Sequence, residues 1–231
     1  MGPLPGSSWH TASAYARARP GFPWAALDWI VATVPLPGGS PVVELGAGTG
    51  LLTRLLAARG LRIMAVEPSD AMRAQLVRTV PQVAVVEGTA EQIPLPADSA
   101  AAVVAANAFH WFEPTRTLPE VHRVLRPGGA LVLIWSLRDP SDPLQAALEG
   151  LARRLGRQAA AAYPGRHAVE ALEASELFTN QAGRSFPYRH RLAEGRIRDL
   201  VASWSYVSAL RPRVREQAMQ EAEDLVGGRG R

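Results

Sequence analysis

The sequence predicts an α/β protein built on a doubly wound, mostly parallel sheet, and three observations support this. Short apolar runs alternate with stretches whose apolar residues recur at helical spacing, a pattern typical of parallel strands joined by helices. A glycine-rich turn, residues 46–50, directly follows the first apolar run. The chain has 231 residues, of which 47% are hydrophobic, so it can form one large domain or a domain with a cap.

The first part of the chain carries a regular series of signals. Strands are predicted from short apolar runs bounded by turn residues, at 42–45, 61–67, 83–88, 100–108 and 130–137. Helices are predicted before and between them from apolar periodicity, over 24–34, 51–59, 70–79 and 115–125. Gly60 ends the second helix, Ser69 can cap the third, and Arg-Pro-Gly-Gly at 126–129 stops the fourth.

After Asp139 the pattern becomes rich in helices. Helical stretches are predicted over 143–162 and 167–177, around Trp204, and over 216–225. Between them, GRSFPYRHRL at 183–192 is predicted to form a sixth strand.

Composition narrows the class of protein. There is no cysteine, so disulfides and thiolate metal sites are excluded, and no metal site is predicted. No apolar run reaches the ~18 residues of a membrane span, and no secretory signal is evident, so the cytoplasm is the expected location. The net charge is +4, all basic residues are arginine, and they are spread along the chain, whereas a nucleic-acid-binding protein is expected to cluster them.

The glycine-rich turn does not match the common phosphate-binding patterns. A dinucleotide fingerprint requires G-x-G-x-x-G, but here the third glycine, Gly50, comes one residue early. A nucleotide phosphate loop requires a lysine, which the chain lacks. Glu44 lies two residues before Gly46, and Glu67 closes the second strand, where a carboxylate can accept hydrogen bonds from ribose hydroxyls. The pattern predicts a nucleoside site without a pyrophosphate grip.

An ordered series of motifs resembles the class I S-adenosylmethionine-dependent methyltransferases. The motifs are VVELGAGTG, AVEPSDAM, GTAEQIPLP, NAFHWF and RVLRPGGALVLIW. The resemblance is closest to the type 11 group, which includes trans-aconitate-methyltransferase-like proteins, and it covers about residues 15–139. It implies a Rossmann-like sheet of seven strands, with S-adenosyl-L-methionine lying across the carboxyl ends of the first strands. It also implies one domain, 1–231, with a lid and helix at 1–35, a cofactor-binding core at 41–139 and a helical partial cap at 140–231.

The resemblance assigns cofactor contacts residue by residue. Glu44 and the turn residues would flank the methionine part, Glu67 would hold the ribose, and Pro68 and Met72 would lie near the adenine. The turn residues are Gly46, Ala47, Gly48 and Gly50. Thr89, Ala90 and Glu91 would line the adenine edge, and Asn107 and Ala108 would lie beneath the sulfonium. Met72 and Ala90 could equally be core residues, and Glu91 a solvated charge.

The chain departs from the family pattern in three places. Many relatives have an aspartate where Thr89 stands, so adenine recognition here is expected to rest on backbone groups. Relatives also commonly have an acid near Ala101, and its absence is expected to weaken the anchoring of the preceding loop. Finally, the last antiparallel strand is missing before Arg231, so three outcomes are open: residues 183–192 pair with the fifth strand, a second protomer covers its edge as a homodimer, or the chain is a piece of a longer protein.

The resemblance implies in-line transfer of a methyl group to an acceptor. His110 is the candidate general base, because it follows the fourth strand and imidazole titrates near neutrality; the alternative is a role in the turn beside Trp111. Predicted acceptor contacts come from the variable parts: Tyr15, Arg19, Trp111, Trp204 and Tyr206. The aromatic residues suit an apolar acceptor, whereas Arg19 suits a carboxylate, and the choice stays open.

Three functions are therefore weighed. The first is methylation of oxygen, nitrogen or carbon on a small molecule, without membrane partners. The second is methylation of nucleic acid, which the scattered arginines disfavour. The third is a repurposed, non-catalytic protein of the same fold.

Overall fold

A computed structural model describes residues 9–36, 39–156, 165–193 and 195–227. Within the described residues there are two compact units, each with its own hydrophobic core. The sheet unit contains Gly21–Trp135 and Pro164–Arg189. The helical unit contains Met1–Pro20, Ser136–Tyr163 and His190–Arg231. Residues 165–189, predicted as part of the cap, therefore group with the sheet.

The sheet unit contains five parallel strands, which confirms the predicted α/β class. The strands are β1 (Pro41–Leu45), β2 (Arg62–Val66), β3 (Ala84–Val86), β4 (Ala100–Ala106) and β5 (Leu125–Ile134). Their order across the sheet is β3-β2-β1-β4-β5. The first three strands extend the sheet in one direction and β4 returns to the other side of β1. The topological switch point therefore lies between β1 and β4, where open α/β sheets bind ligands at the carboxyl ends.

Helices cover both faces of this sheet. Those of the sheet unit are α2 (Trp24–Thr33), α3 (Leu51–Ala57), α4 (Asp70–Thr79), the short 3-10 helix η1 (Phe109–Trp111), α5 (Pro114–Val124) and α7 (Arg166–Glu173). On one face, Leu27 and Leu56 pack with Val42 and Val104. On the other, Val121 and Val124 pack with strand residues such as Val43. The central strand β4 is buried and is a continuous apolar run, because parallel strands need no polar face. Its neighbour β1 is equally buried, and its apolar run is interrupted by Glu44.

The start of β5 differs from the prediction. Residues 126–129, expected to be a helix stop before the strand, belong to the strand itself. The pairing with β4 shifts register between Ala100 and Ala102, which accommodates these residues as an irregularity. Gly129 is required there, because a Cβ would lie 2.9 Å from the Arg126 carbonyl oxygen and 3.0 Å from that of Ala101.

The predicted sixth strand is wrong. Residues 183–192 contain no described strand, and the expected pairing of this segment with β5 does not occur. Pro187 has no N–H to donate to a ladder, and from 183 to 189 only Phe186 is partly buried. Phe178 packs beside Leu131 on one face of the sheet, whereas Phe186 reaches Trp29 of α2 with 6.1 Å between ring centroids. Residues 178–186 therefore connect two faces of the sheet instead of adding a strand to it. The predicted second protomer on the β5 edge stays a prediction.

The helical unit has a separate core. Its elements are α1 (Trp9–Ala18), α6 (Pro143–Arg154), α8 (Arg196–Ala202), α9 (Ser205–Ser208) and α10 (Pro212–Gly227). Leu151, Val201 and Ala222 are fully buried together with Trp204. The residues after 210 that the structure describes form α10, so no strand is seen in that stretch. No helix in the described ranges is long and apolar enough to cross a membrane.

Candidate active site

The turn after β1 depends on glycine for its shape. Gly46, Gly48 and Gly50 have φ values of +61°, +58° and +85°, a region that disfavours residues with a Cβ. A Cβ on Gly46 would also lie 2.9 Å from the Ala108 Cβ, so the turn packs directly against the segment after β4. A Cβ on Gly48, in contrast, would meet no atom within 4 Å. The backbone at Gly48 is therefore open to approach by a ligand.

Glu67 ties this turn to the end of β2. Its Oε2 accepts a hydrogen bond from the Gly48 backbone N–H at 2.9 Å, and its Oε1 accepts one from the Ser69 N–H at 2.9 Å. The residue is only 6% exposed. Burial raises the pKa of Glu67, while the two backbone donors and nearby Arg73 oppose that rise. Each carboxylate oxygen has two lone pairs and can accept one further hydrogen bond.

Glu44 is the second carboxyl group, at the end of β1. Its Oε2 accepts a hydrogen bond from the Thr53 hydroxyl at 2.7 Å, which spans the turn to α3. Its strand neighbours in the sheet, Ala65 and Val104, are apolar. Burial raises the pKa of Glu44 to about 8, the Thr53 hydrogen bond opposes this rise, and Glu67 adds to it. Glu44 is therefore mainly protonated at neutral pH.

The segment after β2 begins a helix beside Glu67. The Ser69 hydroxyl accepts a hydrogen bond from the Met72 N–H at 3.5 Å, as the predicted cap requires. Met72 is buried at 9% exposure and Pro68 is partly buried. Arg73 donates to the Glu67 carbonyl oxygen at 2.8 Å and to the Glu87 carboxylate at 3.0 Å. The sequence did not single out Arg73, because Glu87, 14 residues away, becomes its neighbour only when α4 packs beside β3.

The segment after β3 forms a small turn. Thr89 and Gln92 make an isolated antiparallel bridge, Thr89 is exposed, and Ala90 is buried at 4% exposure. The Glu91 carboxylate accepts a hydrogen bond from the Glu113 backbone N–H at 3.0 Å. Glu91 thus has a structural contact in addition to its predicted place at the adenine edge.

The end of β4 completes the site on the other side of the switch point. Asn107 has a φ of +50°, which is uncommon for a residue other than glycine and is a conformation that asparagine tolerates better than most. Ala108 is buried against Gly46. His110 and Trp111 on η1 are exposed, and their ring centroids are 5.0 Å apart. The catalytic role of His110 stays a prediction.

Four predicted acceptor residues lie in the helical unit, whereas Trp111 lies in the sheet unit. Arg19 donates to the Ser203 hydroxyl at 2.9 Å and its carbonyl oxygen at 3.1 Å, and it stacks 5.0 Å from the Tyr15 ring. Trp204 is 2% exposed, with its ring centroid 5.6 Å from that of Tyr206. Arg19 and Trp204 therefore have partners inside their own unit. For Trp204 this agrees with core packing, one of the two roles that the sequence left open.

Comparisons with known proteins match the chain to methyltransferases. Residues 43–133 match the family described as "Methyltransferase domain". An uncharacterized methyltransferase of Mycobacterium tuberculosis is 38% identical over 214 residues, covering 92% of this chain and 82% of that protein. An uncharacterized methyltransferase-like protein of Schizosaccharomyces pombe is 31% identical over 217 residues, covering 91% and 82%.

Two solved structures extend the similarity over nearly the whole chain. One, from Anabaena variabilis, is provisionally designated a methyltransferase from an antibiotic biosynthesis pathway; it has a TM-score of 0.68, 26% identity, and coverage of 92% of this chain and 88% of that one. The other, from Anaeromyxobacter dehalogenans, is provisionally designated a type II methyltransferase; its TM-score is 0.60, with 25% identity and coverage of 90% and 87%.

Proposed function

The chain belongs to the methyltransferase family, and from that premise we propose that it transfers the methyl group of S-adenosylmethionine to a small-molecule acceptor. One observation carries the proposal. Two buried carboxyl groups, those of Glu44 and Glu67, lie at the ends of neighbouring parallel strands beside a glycine turn whose backbone is open at Gly48. This arrangement offers hydrogen-bond acceptors for hydroxyl and ammonium groups, and it lets a ligand approach the backbone closely. The turn does not have the glycine spacing of a phosphate-binding loop.

Different residues around the turn would bind different parts of S-adenosylmethionine. The remaining lone pairs on the two Glu67 oxygens would accept hydrogen bonds from the two ribose hydroxyls. Glu44 would face the methionine end, where an ammonium group stabilises the ionised carboxylate. Pro68 and Met72 offer apolar surface for the adenine ring, and Thr89–Gln92 would border its edge.

The chain contributes mainly position and electrostatics to the reaction. When bound, S-adenosylmethionine would supply an activated methyl group that an acceptor nucleophile attacks in line, and neutral S-adenosylhomocysteine would be the leaving group. The close packing of Gly46 against Ala108 fixes the two strand ends relative to each other, which sets the direction of approach. His110 on η1 would accept the proton of a hydroxyl or carboxylic acid acceptor. Its neighbour Trp111, 48% exposed, would offer an apolar surface to that acceptor.

A small-molecule acceptor is favoured over nucleic acid. Many described arginines are held in ion pairs with carboxylates, among them Arg59, Arg123 and Arg198. A surface of paired arginines is a poor electrostatic footprint for phosphates. The designation of the Anabaena protein also supports a specialised small molecule as acceptor.

Methyl transfer from isotopically labelled S-adenosylmethionine tests this proposal. We expect label to enter a member of a panel of phenols, carboxylic acids and amines, because the exposed His110–Trp111 pair suits a small flat acceptor. The Glu67→Ala protein provides the background, and tRNA and duplex DNA provide the competing acceptors. Label in nucleic acid alone would overturn the small-molecule assignment. Cofactor binding without turnover across the panel would instead favour a repurposed, non-catalytic protein.

A further inference from the structure

We propose that Glu120 and Arg123, on α5, are positioning residues that hold the Thr89–Gln92 turn and thereby set the selectivity of the cofactor site for adenine. The inference rests on the proposed binding of S-adenosylmethionine. The contact of these two side chains with the loop before β4 is not predicted by the sequence. The absence of an acid near Ala101 predicts, instead, that this loop is weakly anchored.

The two side chains form a clamp on the backbone that follows the turn. The Glu120 Oε1 accepts a hydrogen bond from the Ile93 N–H at 2.8 Å. Arg123 donates from Nη1 to the Leu95 carbonyl oxygen at 2.9 Å and from Nη2 to the Ile93 carbonyl oxygen at 3.2 Å. Three backbone groups of a loop without regular structure are satisfied in this way by one helix.

The two side chains of the clamp also bind each other. Arg123 pairs with both oxygens of Glu120, at 2.8 Å from Nε and 2.7 Å from Nη2. A planar guanidinium held by two parallel hydrogen bonds has one preferred orientation, which lysine cannot reproduce. In agreement, the hydrogen bond with Arg123 is the main cause that lowers the pKa of Glu120.

Apolar packing couples the position of residues 93–95 to that of the Thr89–Gln92 turn. Ala90 and Ile93 are buried in the same apolar cluster as Val66 at the end of β2. A Cβ on Gly88 would lie 2.7 Å from the Pro94 Cδ and 3.0 Å from the Val66 Cγ1. The turn therefore has little freedom to shift once residues 93–95 are fixed.

The position of the Thr89–Gln92 turn matters because this turn would bind the adenine. The resemblance to the family implies that an aspartate at the position of Thr89 would reach the adenine amine, whereas the exposed Thr89 side chain offers only a hydroxyl. The Glu91 carboxylate already accepts the Glu113 N–H. The backbone groups of the turn, together with the remaining lone pairs of the Glu91 carboxylate, would then read the adenine edge, and hydrogen bonds weaken steeply with small errors in distance and angle. If the turn is displaced, the site should lose its preference for adenine over other purines before it loses affinity for the cofactor.

The test compares two product analogues, S-adenosylhomocysteine and S-inosylhomocysteine, in which an oxygen replaces the adenine amine. Dissociation constants are measured by calorimetry with the full chain and with Arg123→Met and Glu120→Gln. We expect the wild type to prefer the adenosyl compound, Arg123→Met to reduce that preference at least tenfold, and Glu120→Gln to reduce it less. Arg116→Met is the matched control, since Arg116 is exposed on the same helix, and it should leave the preference unchanged.

Each outcome has a definite meaning. An unchanged ratio in a folded Arg123→Met protein overturns the inference, as does a wild type that does not discriminate between the analogues. Failure of the wild type to bind either analogue overturns the proposed function instead. If Arg123→Met does not fold, Arg123→Lys keeps the charge without the planar fork. Hydrogen exchange of the 89–95 amides should then be faster than in the Arg116 control, and equal exchange would contradict the clamp.

Discussion

Replacing Glu67 with alanine is expected to weaken cofactor binding at least a hundredfold. Each hydrogen bond to a charged group contributes about 1.5–3 kcal/mol, and two ribose hydroxyls would be lost together. The Gly48 and Ser69 N–H groups would also lose their acceptor, so the turn that carries the open backbone would be less ordered. Calorimetric titration of the wild type and the variant with S-adenosylhomocysteine measures the difference.

Two further variants sharpen this prediction. Glu67→Gln keeps one acceptor oxygen and should bind with an affinity between those of the wild type and the alanine variant. Glu87→Ala removes a nearby carboxylate that is 75% exposed and pairs with Arg73, so it should leave the affinity almost unchanged. An unaltered dissociation constant in a folded Glu67→Ala protein would exclude Glu67 as the ribose ligand.

The stability of the cofactor-free protein is expected to fall between about pH 5 and 8 because of Glu44. Its pKa is about 8 in the folded state and near the ordinary value of 4.5 once unfolded. The folded state therefore binds more protons in this window. The stabilisation is fully present below the unfolded pKa and is lost as the pH rises through the folded one. One such group changes the free energy of unfolding by up to about 1.4 kcal/mol per pH unit.

Glu44→Gln isolates this contribution. The amide oxygen can still accept the Thr53 hydrogen bond, but the side chain does not titrate. Urea unfolding at several pH values should show a shallower pH dependence for the variant and higher stability than the wild type above pH 8. Burial also raises the pKa of Glu67, so a smaller slope of the same sign should remain in the variant. Parallel stability curves for the two proteins would show that Glu44 is already ionised near neutral pH.

The sheet could be predicted because its signals are local. Most strands contain a short apolar run that ends at a turn, and the glycines at 46, 48 and 50 mark the turn in which their φ values are positive. The exception is β5, whose residues 126–129 are predicted as a helix stop. Ser69 could be identified as a cap for the same reason, because the contact spans three residues.

Other features depend on packing between distant segments and left no local signal. The Thr53 hydroxyl reaches Glu44 only because α3 folds back over β1, and the hold of Arg123 on residues 93–95 joins segments about 30 positions apart. Residues 183–192 resemble a strand in sequence, but they are mostly exposed, contain Pro187 and form no strand. The hydrogen bonds of Arg19 to Ser203 join residues 184 positions apart, so the sequence could not predict them. The role of Arg19 as an acceptor contact stays a prediction.

Titration of the purified chain with S-adenosylmethionine in a calorimeter measures whether the site binds this cofactor. We expect one molecule bound per chain, with a dissociation constant within about 1 µM to 1 mM, the range in which the KM values of most enzymes lie. S-Adenosylhomocysteine should compete for the same site, and a nicotinamide dinucleotide should not, because the turn lacks the glycine spacing for a pyrophosphate. Absence of binding at millimolar S-adenosylmethionine, in a protein shown to be folded, would show that the turn at 46–50 and Glu67 do not form a site for this cofactor.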